Sequence, residues 1–157
     1  MPESIKALKF VHEYAKSLFE KRKKKNFEES LKTPIFEGEE TAYNLFIHSI
    51  NTLYWAMKII DNPDIDSGDI SLKLDPESTA PLHEQLLDLF SKGIEAFEEV
   101  RTNFKEEDLK NAFKSPFGRE MTYEDWFGFV IHHTIGHIYQ AFRLQAIYLR
   151  QKKKGKL

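Results

Sequence analysis

Apolar residues recur along the chain at three- and four-residue intervals, the spacing that gathers side chains onto one face of an α-helix. Ile5, Leu8, Val11, Ala15, Leu18 and Phe19 do so within a first segment, Glu3–Lys25. A second segment, Glu39–Ile60, carries two stripes. One is Ala42, Leu45, Phe46, Ser49, Leu53 and Ala56; the other is Leu45, His48, Thr52, Trp55 and Ile59. Two stripes predict a helix buried on more than one side. A third segment, Pro81–Asn103, opens on a proline suited to a first helical turn and repeats Leu82, Leu86, Leu89, Phe90, Ile94 and Phe97. A short helix is expected over Glu106–Phe113. The fourth long segment runs from Thr122 to Gln151. Its opening "TYED" fits a capping box, with Thr122 as cap and Asp125 reaching back. Its apolar residues point in nearly every direction, as in a helix that is central or partly covered by another subunit.

The connections select a topology. "DNPDIDSGDISLKLDPESTA", Asp61–Ala80, is too long for a tight helical hairpin and suits a crossover between parallel helices. Alternation of Ile70, Leu72 and Leu74 predicts a short extended piece inside it. The expected fold is therefore all-α: a four-helix bundle, up-down-down-up, with a long crossover between the second and third helices. At 157 residues, a single domain spanning 1–157 is expected.

Composition narrows the classes of function. A net charge of −2 gives no general pull toward nucleic acid or acidic membranes. Two basic runs, "KRKKK" at 21–25 and "RQKKKGK" at 150–156, lie near helix ends, where cations complement the dipole. The absence of cysteine removes disulfides and any protein thiolate. No leader or spanning stretch is evident, so a cytoplasmic protein is expected.

The chemistry concentrates in "FVIHHTIGHIYQ", Phe129–Gln140, which holds three of the six histidines. His133 and His137 are four residues apart and share a helix face, whereas His132 points about 100° away. His48, mid-helix in the second segment, adds a third imidazole. Three neutral nitrogens from two facing helices, with one position open, match a catalytic rather than a structural zinc site. Nickel and iron(II) also accept imidazole, so the ion is not settled. A zincin needs Glu directly after the first His, and Thr134 stands there. A di-iron bundle needs Glu-x-x-His pairs, and no histidine here has Glu three residues before it. The stretch reads as one wall of a buried metal pocket. Gln140, one turn past His137, and Asn51, one turn past His48, are the polar candidates for contacting a ligand imidazole or a bound group. His12 is expected to be partly exposed, His83 at the surface, and His132 in a core or interface hydrogen bond.

"LFIHSINTLYW", the crossover, and "GREMTYEDWFGFVIHHTIGHIYQ" occur in that order. Together they make the chain resemble the DinB/YfiT-like proteins over about Glu3–Tyr148. The resemblance implies a four-helix bundle that holds one divalent metal through His48, His133 and His137 and forms homodimers in many members. Some relatives transfer or isomerise substrates with bacillithiol, mycothiol or a similar small thiol; others are damage- or stress-inducible. Members often carry a second His and an Arg-Gly pair before the Gln. Gly136 and Ile138–Tyr139 stand at those places here, which makes the rim more apolar.

The leading expectation is a metal-dependent enzyme of the thiol S-transferase type that joins a low-molecular-weight thiol to a small electrophile. A hydrolase, and a non-enzymatic stress-inducible metal-binding protein, are the alternatives. A cofactor thiol would supply the nucleophile that the chain lacks, and its affinity for the open metal position would lower its pKa. The expected partners are a small-molecule substrate and a second copy of the chain.

Overall fold

In the computed structural model, residues 1–24 and 26–156 are described. The periodic segments become α1 (Glu3–Arg22), α3 (Ala42–Asp61), α4 (Leu82–Thr102) and α5 (Tyr123–Lys153), and a short α2 (Phe27–Lys32) lies between the first two. The structure is mostly helical. Lys25, the expected end of the first helix, lies outside the described residues; α1 closes on Lys23, whose N–H bonds Phe19 O. Asn26 then turns the chain with φ +57°, a left-handed conformation that asparagine tolerates better than most residues.

Local chemistry sets the ends of the two helices that matter most. Thr41 Oγ1 accepts the Asn44 N–H at 3.1 Å and starts α3. Thr122 Oγ1 accepts the Asp125 N–H at the same distance and starts α5. Such caps contribute about 1 kcal/mol each. The expected return bond from the Asp125 carboxylate is not found among the described residues.

α3 packs against α4 and α5, and α1 packs against the same two. Phe19, Phe46, Phe90, Phe97 and Trp126 fill the space between them and are almost completely buried. Burying a large apolar side chain stabilises the fold by about 1.5–3 kcal/mol. Trp126 also donates its indole N–H to Ala56 O at 3.1 Å, which ties α5 to α3. α2 is held by a buried polar chain. Arg22 donates to Gln145 Oε1 at 2.9 Å, Gln145 donates to Ser30 Oγ at 3.0 Å, and Ser30 donates to Phe27 O at 2.6 Å.

Two expectations are corrected. His83 is not at the surface: it is only 8% exposed, because Phe27 of the unforeseen α2 covers it edge to face. The short helix expected over Glu106–Phe113 shrinks to a 3₁₀ turn, Asp108–Lys110. An antiparallel hairpin follows, β1 (Ala112–Lys114) paired with β2 (Glu120–Thr122). Ser115–Gly118 closes the hairpin, with Gly118 at φ +73°, a backbone conformation that favours glycine. The piece expected to be extended, Ile70–Leu74, lies outside any strand. Instead, Asn51 of α3 acts as its edge partner, donating to Leu72 O at 3.2 Å and accepting from Leu72 N–H at 2.6 Å. Among the described residues no helix is long and apolar enough to cross a membrane.

Candidate metal centre

Four-residue spacing builds one wall of the site on each of two helices. On α5, Phe129, His133 and His137 follow one another turn by turn; on α3, Asn44, His48 and Thr52 do the same. The packing of α3 on α5 brings the walls together. Ring centroids are 5.3 Å apart for His48 and His133, 5.5 Å for His48 and His137, and 4.5 Å for His133 and His137. One nitrogen from each ring lies within 4.8 Å of the other two. Small side-chain rotations would close that triangle onto one ion at Zn–N distances of about 2.0–2.1 Å.

The protonation chemistry also suits a metal. Burial first, then the neighbouring His137 and His48, pushes His133 down to about 4. Burial and His137 lower His48 as well, against a smaller upward pull from the Glu40 carboxylate. Neutral rings with free lone pairs are the ligating form. His133 Nδ1 is buried without a hydrogen-bond partner, and a buried polar atom of that kind calls for one. Gln140 Oε1 lies 3.2 Å from His137 Nδ1. An amide oxygen only accepts, so Nδ1–H is the donor in this contact, which leaves Nε2 as the ring atom available to a metal. This outer contact orients the ring as carboxylates and carbonyls do around bound metals. The donor set fits a divalent ion, and His48, His133 and His137 are the residues able to hold it.

The site is not the buried pocket expected from sequence. His48 and Gln140 are exposed, and His133 and His137 are half-buried. Two cavities flank the triad and share His48. One, about 470 Å³, is lined by Glu40, Asn44, Leu45, Ile47, His48 and His137. The other, about 380 Å³, has His133, Asn51, Trp55, Phe117 and Phe129 among its walls. Asn51 therefore borders the site, but both functions of its amide are engaged by Leu72 rather than by an imidazole. His132 is exposed rather than in the core, and His12 is half-buried with Nε2 3.0 Å from Leu87 O. Neither joins the triad.

Sequence reading missed two contributors. Glu40 accepts from Asn44 Nδ2 at 3.0 Å beside the triad. Its signal was present, because Glu40, Asn44 and His48 recur every four residues. Phe117 had no such signal: only the hairpin carries it over to Phe129, 5.6 Å away between centroids.

Comparison with known proteins gives one match. The family model described as the DinB superfamily matches residues 28–141, a span that includes all three imidazoles and Gln140. No curated protein and no solved structure matches the chain. The chain belongs to the DinB superfamily.

Proposed function

We propose that the chain is a single-domain, metal-dependent enzyme of the thiol S-transferase type, built as an up-down-down-up four-helix bundle. It joins a low-molecular-weight thiol to a small electrophile. The observation that carries this reading is the triad of imidazoles standing between two solvent-reachable cavities. A divalent ion bound there, zinc in the first instance, supplies Lewis acidity that favours the thiolate over the thiol at neutral pH.

The chain's own residues do the rest. His48, His133 and His137 hold the ion through neutral nitrogens, and Gln140 keeps His137 in the tautomer that leaves Nε2 free. Glu40, steadied by Asn44, is the carboxylate that takes the thiol proton. The thiolate sulfur then forms a C–S bond to the electrophile, whose leaving group departs with the bonding pair. No cysteine competes for the electrophile, because the protein has none. The enzyme acts as a cytoplasmic homodimer through α5, where Tyr139 remains 41% exposed beside Tyr14 of α1.

The test is turnover of a chlorodinitrobenzene-type electrophile with cysteine or a sugar-linked thiol by zinc-loaded protein, against the chelated protein as reference. A rate that depends on metal and is lost in Glu40→Gln supports the reading. Stoichiometric metal with no turnover for any thiol favours the alternative, a stress-inducible metal-binding protein, which the exposure of His48 and Gln140 would also suit.

A further inference from the structure

The two cavities that share His48 differ in chemistry. The one beside His137 holds a carboxylate, Glu40, and an amide, Asn44. The one beside His133 holds no acidic or basic residue except the two imidazoles; three aromatic rings, Trp55, Phe117 and Phe129, dominate its walls.

Those rings are held in place from several directions. Trp55 donates to Ile65 O at 3.3 Å, which fixes it against the start of the crossover. Phe129 stacks on the buried Trp126 at 5.7 Å and reaches His133 at 5.8 Å. Phe117 sits at the hairpin tip, 5.9 Å from Trp126 and edge-on to Phe129. The hairpin is anchored in turn by Phe113, which stacks at 4.6 Å and 3° on Tyr123 of α5. Yet Phe117 is 64% exposed. A large ring pinned in place but left facing water contributes little to folding, because apolar surface stabilises only when it is covered. It is placed to cover something else.

The geometry points to a second half-site of defined specificity: the cavity of Trp55, Phe117 and Phe129 takes the uncharged aromatic ring of a ligand whose donor atom reaches an ion held by the triad. This rests on the metal-centre reading above and names the electrophile's class as aromatic. Edge-to-face and offset contacts with three rings favour a flat π-system over an alkyl group of equal reach. The lack of a fixed countercharge disfavours a charged one. At about 380 Å³ the cavity lies within the usual range for small-molecule sites.

Hydroxamates test this without any turnover. Full-length protein is loaded with cobalt(II), and the visible cobalt absorption is titrated with benzohydroxamic acid and with acetohydroxamic acid. Benzohydroxamic acid is expected to bind at least about tenfold more tightly, since each 1.4 kcal/mol is tenfold. Phe117→Ala is expected to remove most of that preference while leaving acetohydroxamic acid unaffected. Phe117→Trp should keep the preference, and Phe10→Ala, on α1 outside the cavity, should not alter it. Phe117 is mostly exposed, so its Ala variant folds, which circular dichroism checks. Equal affinity for the two probes, or a preference that survives Phe117→Ala, overturns the aromatic assignment alone. Failure to bind cobalt at the triad overturns the metal-centre reading and this inference with it.

Discussion

The imidazole of His48 stands 5.3 Å, centroid to centroid, from that of His133, and the two rings meet edge to face. One ring rises from α3 and the other from α5, so the site exists only while these two helices keep their packing. Trp126 secures that packing close by, through its bond to Ala56 O. The candidate metal centre is thus a property of a helix pair rather than of a loop, which gives it a preset geometry.

The depressed titration of His133 makes the metal-free protein sensitive to acid. An unfolded histidine titrates near about 6.5, whereas His133 in the fold titrates at about 4. Between those values the unfolded chain binds more protons than the folded one, so stability rises with pH. Metal-free protein is expected to lose stability as pH falls through that window, and His133→Gln to lose less. Urea melts of both proteins across the window measure the difference; identical pH dependence would contradict the half-buried neutral imidazole.

Gln140→Ala is expected to weaken zinc binding by about tenfold, the low end for losing a group that orients a metal-binding histidine. The residue is exposed, so the fold should not change. Gln140→Glu, which puts a carboxylate on the same ring nitrogen, should bind zinc at least as tightly as the natural protein. Competition against a coloured chelator reads both.

Asn51→Leu removes both bonds to Leu72 and should cost about 1–2 kcal/mol. Limited proteolysis is expected to cut faster within 62–80, because the mid-crossover anchor is gone. Zinc stoichiometry should stay as it was. A loss of zinc instead would show that the amide serves the site directly.

The long helices and the triad were legible in the chain because both depend on one short-range rule, side chains three or four residues apart sharing a face. His133 and His137 obey it, and His48 lies on the same α3 stripe as Thr52. What stayed hidden depends on contacts distant in sequence. Phe27–Lys32 is too short for periodicity to reveal, so its roof over His83 was unforeseen. The hairpin at 112–122 rests on a turn at Gly118 and on ring stacking between Phe113 and Tyr123, neither of which has a helical period. The role of Asn51 needed its distant partner, Leu72. The openness of the site was missed for another reason: apolar neighbours in sequence do not say which side of a helix is left uncovered.

Because His48 is exposed, its replacement removes a donor nitrogen without opening the core. The most direct measurement is therefore zinc titration by calorimetry of the natural protein and of His48→Ala, with circular dichroism to verify the fold. A single ion per chain in the natural protein, with binding lost or weakened by at least about a hundredfold in a fully helical His48→Ala, is the result expected. No zinc bound by the natural protein would show that the three histidines only pack, and equal binding by the variant would show that the ion is not held by this triad.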